Sequence, residues 1–156
     1  MNEVESTIVP QNLITFRVPG KPIALKRHRS SRNGHMYDPS ANDKKVFLSK
    51  IQCHAPLRPI SSKYALIVRA TFVMPRPKKH FRTGRFSEEL RKDAPCIHTS
   101  TPDIDNLAKF ILDAMNEVFY EDDSQIYNLQ CDKKYGAGND DRKGYTDIQI
   151  ECVIKT

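Results

Sequence analysis

The sequence predicts an α+β fold, on two observations. Four stretches alternate or cluster apolar, β-branched and aromatic residues as strands do, and two others repeat their apolar residues every three to four positions. At 156 residues the chain is long enough for one real core and short for two. A single domain over residues 12–156 is therefore expected, behind a loose, polar N-terminal arm at 1–11 that lacks periodicity.

The elements follow in order. Leu13-Ile14-Thr15-Phe16-Arg17-Val18 alternates and stops at Pro19-Gly20, which reads as a strand. Lys21, Lys26, Arg27, Arg29 and Arg32 then surround a turn signal at Asn33-Gly34, with no acid until Asp38, so this loop is expected to be solvated and positive. Ser40 or Asn42 can cap a helix in which Val46, Phe47, Ile51 and Cys53 recur until Pro56 ends it. Tyr64 to Met74 is rich in β-branched and aromatic residues and ends at Pro75, as a long central strand would.

A second basic stretch, Arg76 to Lys92, carries Arg76, Lys78, Lys79, Arg82, Arg85, Arg91 and Lys92 against Glu88 and Glu89. Pro75, Pro77 and Gly84 argue against regular structure there. Phe81 and Phe86 interrupt the charges. Aromatic rings among basic side chains either stack on nucleobases while the cations hold phosphates, or pin the loop to the body of the protein.

The clearest helix comes next. Ile104, Leu107, Ala108, Ile111, Leu112, Met115 and Val118 fall on one stripe, with Asp105, Lys109 and Asp113 on the opposite side, each four residues from the next. Phe110 falls toward the polar side and is expected at an interface or under a loop. Ile126–Tyr135 and Thr146–Ile154 flank a Gly/Asn/Asp turn at Gly136–Asp141 and read as an antiparallel pair, with Cys152 in the core.

Charge narrows the function. Residues 103–123 hold seven acids and one lysine, a net −6 in a chain of +6, which leaves +12 on the remainder. An acidic island in a strongly basic molecule points to a polyanionic partner. Cys53, Cys96, Cys131 and Cys152 are scattered singly, without a signal-like or membrane-length apolar run, as expected of free thiols in an intracellular protein without a membrane partner. Cys96 and His98 would supply two zinc ligands, but no second pair stands at a familiar spacing.

The acids have two readings. Asp103 after Pro102 suits an N-cap and Asp105 suits the first turn of a helix. That use does not explain Glu121, Asp122 and Asp123 immediately before a strand, where like charges repel. Closely spaced carboxylates are tolerated when a cation neutralises them, and a hard ion such as Mg²⁺ takes a few carboxylates and keeps several waters. The two clusters are therefore expected to meet in space around divalent metal. Lys109, one turn after Asp105, either forms an i,i+4 pair or places an ammonium beside a metal-bound phosphate. With basic loops to hold strands of nucleic acid, these residues suit metal-assisted phosphodiester hydrolysis.

Asp103-Ile104-Asp105-Asn106-Leu107, Lys109, Leu112-Asp113-Ala114 and Asp122-Asp123-Ser124-Gln125-Ile126 resemble the RusA family of Holliday-junction resolvases. The resemblance runs upstream through Lys21-Pro22, Lys26-Arg27-His28-Arg29, Tyr37-Asp38-Pro39 and Pro75-Arg76-Pro77-Lys78, so it covers most of the chain. It implies a small mixed sheet of about four strands with two main helices packed on it, a homodimer, and Mg²⁺-dependent cleavage of four-way DNA junctions, with Mn²⁺ an expected substitute. By resemblance, Asp103, Asp105 and Asp123 are the metal-binding carboxylates, Asp122 assists them, and Lys109 is the catalytic lysine. Asp113 is expected to support Lys109 or a neighbouring loop. Lys26, Arg27, Arg29, Arg32, Arg76, Lys78, Lys79, Arg82 and Arg85 are the expected DNA contacts. Two departures stand out: relatives often carry Gly where Glu117 stands, and the basic loop from Lys78 to Lys92 is absent from the shortest members.

Two other functions fit the composition. A module that binds branched or single-stranded nucleic acid without cutting it would use the acids structurally. A phosphohydrolase of small substrates would use the DxD pair but has little need of two basic loops.

Overall fold

The computed structural model describes residues 12–138 and 141–156. The expected arm at 1–11 and two residues of the expected last turn, 139–140, lie outside the described residues. The elements are β1 (Leu13–Pro19), a short hairpin of β2 (Arg29–Ser30) and β3 (Met36–Tyr37), α1 (Ala41–Ile51), β4 (Tyr64–Met74), α2 (Ile104–Met115), β5 (Ile126–Tyr135) and β6 (Tyr145–Ile154). Two helices and a mixed four-stranded sheet make the α+β arrangement that the sequence predicts.

β4 buries Leu66, Val68, Ala70 and Phe72 on its helix-facing side. A strand of this composition is best placed centrally, where both of its edges are paired. It lies between β6, antiparallel with Val68 opposite Ile150, and β5, parallel with Val68 opposite Leu129. The order is β1-β6-β4-β5. The antiparallel pairing expected between 126–135 and 146–154 is therefore corrected: β4 stands between them. Turn residues at 136–141 signal a reversal, but the chain reverses across the end of β4 instead of into a hairpin. Gly144 marks the crossing, with φ of 79° and a position where any Cβ would stand 2.4 Å from the Val73 carbonyl oxygen.

α1 and α2 cover the sheet face bearing Phe16, Leu66, Val68, Phe72, Ile148 and Ile150. α2 buries Leu107, Ala108, Phe110, Ile111, Ala114 and Met115. Phe110 is 1% exposed and meets Phe47 of α1 edge-on at 5.5 Å, because a neighbouring helix widens the covered arc beyond the sheet-facing stripe. In α1 only Phe47 and Ile51 are buried, while Val46 and Cys53 face solvent, a narrower stripe than expected. All four cysteines are free, and Cys152 is half-buried against the core. Among the described residues no helix is long and apolar enough to cross a membrane.

α2 stops at Met115, so Val118 lies in the turn beyond it, with Asn116 N–H donating to Leu112 O at 3.0 Å and Phe119 N–H to Met115 O at 2.9 Å. This exit needs left-handed backbone, and Glu117 supplies it with φ of 66°. For a residue with a Cβ that conformation costs roughly 1 kcal/mol or more, whereas glycine adopts it freely. Glu117→Gly is expected to stabilise the fold by about 0.5–1 kcal/mol, read as a rise of roughly 2–4 °C in melting temperature.

Candidate functional site

α2 is the crossover between the parallel strands β4 and β5, and runs antiparallel to both. The segment leading into it is tied to the end of β5: Tyr135 N–H donates to Cys96 O at 2.8 Å and His98 N–H to Lys133 O at 3.3 Å. Where this backbone pairing ends, the Lys133 ammonium takes over, donating to Ser100 O at 2.5 Å and Pro102 O at 2.6 Å. The chain is thus steered off the sheet edge and into α2, with Asp103 at the junction.

Asp103 occupies the N-cap position with extended backbone, φ −69° and ψ 143°, yet its side chain makes no capping hydrogen bond. The structural use open to it is not taken up. Asp105 sits in the first turn, where the helix dipole favours it. Asp103, Asp105 and Lys109 are exposed, and no side-chain hydrogen bond or ion pair engages them among the described residues. Asp113, two turns further along, approaches Lys44 of α1 at 3.8 Å, and the same ammonium binds Asp38 at 2.5 Å. Its support thus runs to α1 and not to Lys109.

The second cluster sits past the other end of α2. Asn116 Oδ1 accepts from Asp123 N–H at 3.1 Å, and Gln125 Oε1 accepts from Asp122 N–H at 2.9 Å. Gln125 is buried and anchors this turn to the body by donating to Ser61 O at 2.9 Å. The Ser124 hydroxyl on Asp122 and the Ser62 N–H on Glu121 hold those two carboxyls below their ordinary values. Asp123 is opposite: burial, then the charges of Asp122 and Asp113, push it upward. Two of these acids are satisfied by protein donors. The third faces like charges that a cation would relieve. Beneath them Tyr120 is fully buried, its hydroxyl donating to Leu112 O at 2.9 Å and pushed above its ordinary value, chiefly by burial.

The expectation that both clusters meet is corrected within one chain. Asp103 precedes α2, Asp123 is hydrogen-bonded to the residue that follows it, and twelve helical residues span roughly 18 Å. Among the described residues no three His, Cys, Asp or Glu side chains are gathered to hold a metal. Proximity in sequence concealed this, because the intervening segment is a straight helix. As a donor set, Asp103 and Asp105 still fit a hard divalent ion: both are exposed carboxylates without protein partners, and Mg²⁺ is held by one or two carboxylates plus waters. Cys96 and His98 do not form a zinc site: the thiol is exposed, while the imidazole is buried against Tyr135 at 4.8 Å.

The first basic loop reaches the acidic helix directly. Leu25 N–H donates to Asn106 O at 3.0 Å, and Lys26 N–H donates to the buried Ser40 Oγ at 2.8 Å. Lys26, Arg27, Arg29 and Arg32 are exposed along this loop and the β2–β3 hairpin, with Lys26 also meeting Asp43 at 2.8 Å. In the second stretch Lys78, Lys79, Arg82 and Arg85 are exposed. Phe81 is buried, bridged to Leu90 and covered by Arg142 at 4.0 Å, so it pins the loop. Phe86 is half-buried beneath Arg82 at 4.0 Å and Arg85 at 4.7 Å.

Arg76 is not available to DNA as expected. It is buried, donating to Gly136 O at 2.6 Å and Pro95 O at 2.8 Å beside His80. Its place immediately after β4 takes it inward, where two carbonyls need a donor. Arg76→Met strands both and is expected to cost about 2–4 kcal/mol in chemical denaturation. The salt dependence of DNA binding should stay unchanged, whereas Lys78→Ala or Lys79→Ala should lower its slope by about one unit for each phosphate no longer held.

A family model described as Endodeoxyribonuclease RusA matches residues 19–150. The chain belongs to the RusA endodeoxyribonuclease family. It is also 33% identical over 127 residues to a Bacillus subtilis (strain 168) protein named "Uncharacterized protein YqaN", with 78% of this chain and 87% of the relative covered. The match to the RusA model takes in both helices, β4, β5 and β6 as far as Ile150, with both acidic clusters and both basic loops, and reaches only the last residue of β1; the family implies endodeoxyribonuclease activity. RusA nucleases are generally divalent-metal dependent.

Three residues around this site escaped sequence reasoning, Lys133, Asn116 and Lys44, and a fourth, Gln125, stood in the quoted motif without a role. Only Gln125 left a signal, three residues after Asp122 at the start of a helical turn. The others act by tertiary hydrogen bonds or ion pairs with no local pattern.

Proposed function

We propose that this RusA-family chain is a homodimeric, Mg²⁺-dependent endonuclease of branched DNA that resolves four-way junctions, with residues 12–156 as one nuclease domain. The observation that carries this reading is Asp103, an N-cap carboxylate that caps nothing, beside the equally unpaired Asp105 and Lys109. Carboxylates without protein partners in a chain of +6 are available for a cation, and the +12 outside the acidic segment is available for phosphate.

Asp103 and Asp105 hold the metal, with Asp123, and Asp122 in support, supplying the further carboxylates. When bound, the ion supplies Lewis-acid polarisation of the phosphoryl group and activation of water. Lys109 presents an ammonium to the charge that develops on the phosphate. Lys26, Arg27, Arg29 and Arg32 hold DNA next to the α2 N-terminus, to which Leu25 ties their loop, and Lys78, Lys79, Arg82 and Arg85 hold it further out. A twofold dimer presents two equivalent sites to the two equivalent strands of a junction.

The test is an end-labelled four-way junction incubated with and without Mg²⁺, beside duplex, fork and flap controls. Paired symmetric incisions that require Mg²⁺, and binding that weakens steeply with salt, are expected. Binding without incision would favour a non-cleaving nucleic-acid module. Negligible DNA affinity with hydrolysis of small phosphoesters would favour a phosphohydrolase.

A further inference from the structure

The loop that delivers Asp103 to α2 runs along the outer edge of β5, and backbone pairing accompanies it only part of the way. Tyr135 N–H donates to Cys96 O, Ile97 is bridged antiparallel to Lys134, and His98 N–H donates to Lys133 O. From Thr99 to Pro102, among the described residues, no backbone hydrogen bond ties the loop to the sheet. There the half-buried Lys133 side chain reaches past its own strand, donating to Ser100 O at 2.5 Å and to Pro102 O at 2.6 Å. An ammonium carries three donors, so one side chain stands in for the backbone bonds that a diverging edge cannot make.

The second of these carbonyls bears directly on the acidic site. Pro102 O belongs to the peptide that joins Pro102 to Asp103, and a peptide is planar, so fixing its oxygen fixes the Asp103 nitrogen and Cα with it. On the other side, Leu107 N–H donates to Asp103 O at 3.2 Å. The backbone of Asp103 is thus held from both directions, while its carboxylate has no protein partner. A metal ligand is well placed in this way, because its position is set before the ion arrives and the ion meets no competing donor. A charged donor suits the task, since its hydrogen bonds to carbonyls are stronger than those of a neutral group.

We propose that Lys133 is a positioning residue of the metal site: by holding the Ser100 and Pro102 carbonyls, its ammonium sets the place and orientation of the Asp103 carboxylate. It acts through the backbone of Asp103 and touches neither metal nor DNA. This rests on the reading of Asp103 as a metal carboxylate in a nuclease and adds to it a residue from another element of the fold.

The test compares Lys133→Met, which keeps the stem and removes the donors, with Lys133→Arg, which restores charge and donors. Lys134→Met is the control, an exposed neighbour whose side chain points to the opposite face of the strand. In calorimetric titration with Mn²⁺, Lys133→Met should bind about ten- to a hundredfold more weakly than wild type, Lys133→Arg should recover most of that loss, and Lys134→Met should be unchanged. In metal-free protein, hydrogen exchange over residues 100–107 should quicken in Lys133→Met while the amides of β4 keep their wild-type protection. Junction affinity in EDTA should change little, so cleavage falls in rate and needs more Mg²⁺. A Lys133→Met chain that binds Mn²⁺ as tightly as wild type, or exchanges over 100–107 as wild type does, overturns the proposal whatever its melting temperature. If Lys133→Met does not fold, Lys133→Gln takes its place: its amide nitrogen stands one bond short of the lysine nitrogen, the same loss is expected, and wild-type Mn²⁺ affinity again overturns the proposal. A wild type that binds no Mn²⁺ overturns both this proposal and the metal reading. A wild type that binds Mn²⁺ but cuts no junction would sink the junction-nuclease reading alone, and the Mn²⁺ and exchange comparisons would still decide the role of Lys133.

Discussion

Asp103→Asn and Asp123→Asn are each expected to reduce junction cleavage in Mg²⁺ by about a thousandfold or more, which corresponds to roughly 4 kcal/mol of lost transition-state stabilisation. Binding should persist in both. The basic loops that hold phosphate are untouched, and removing a negative charge near bound DNA can only lessen repulsion, so gel-shift affinity and its salt slope should match the wild type or exceed it. Retained cleavage in both variants would sink the metal assignment.

The two substitutions should differ in stability. Asp123 has its carboxyl raised by burial and by Asp122 and Asp113. A raised carboxyl is at no disadvantage while protonated and becomes destabilising as pH rises through its folded-state value. Asn removes that charge, so in EDTA at neutral pH Asp123→Asn should melt no lower than wild type, with any advantage fading on acidification below the ordinary carboxylate range. Asp103 makes no capping bond, so its substitution should leave the melting temperature near wild type. Lost cleavage in a variant that is not destabilised separates a functional acid from a structural one.

How far the fold was legible depended on whether local pattern decided each element. β4 was readable to the residue, because its apolar run is bounded by Lys63 and Pro75. α2 was readable because one stripe of seven apolar positions has a single helical solution, although its last member, Val118, fell beyond the end. The neighbours of β5 were not readable. Strand pairing is set by which strand most needs the centre of the sheet, and a Gly/Asn/Asp turn records only that the chain reverses. Phe110 is out of water as expected, but what covers it is a helix instead of a loop or an interface, since its cover comes from Phe47, 63 positions away in the chain. At the site, residue types and spacing identified the acids and Lys109, and the helix itself was predicted. The missing step was length: a helix read correctly already implies about 1.5 Å per residue, enough to separate Asp103 from Asp123. Arg76 shows the limit of composition, because a cation in a basic run looks the same whether it faces solvent or two buried carbonyls.

Lys109→Ala is expected to slow cleavage by about a hundred- to a thousandfold, the cost typical of removing one preorganised donor from developing charge. Lys109 lies one turn from Asp105 and one turn from Asp113, so an ordinary helix-surface lysine would pair with one of them for a few tenths of a kcal/mol. It pairs with neither, and Asp113 approaches Lys44 instead. The ammonium therefore remains free on the same exposed face as Asp105, forgoing a pairing that only a ligand replaces. Because nothing in the fold depends on it, and alanine is the better helix former, the variant should melt at or slightly above the wild-type temperature. Single-turnover cleavage of a labelled junction, measured beside equilibrium binding, gives the decisive comparison: the rate should fall while the dissociation constant changes little. Lys109→Arg, which keeps the charge but spreads it over a wider group, should recover part of the rate. A Lys109→Ala enzyme that cuts at the wild-type rate would reduce this lysine to a solvated side chain and leave the carboxylates to act without an electrostatic partner.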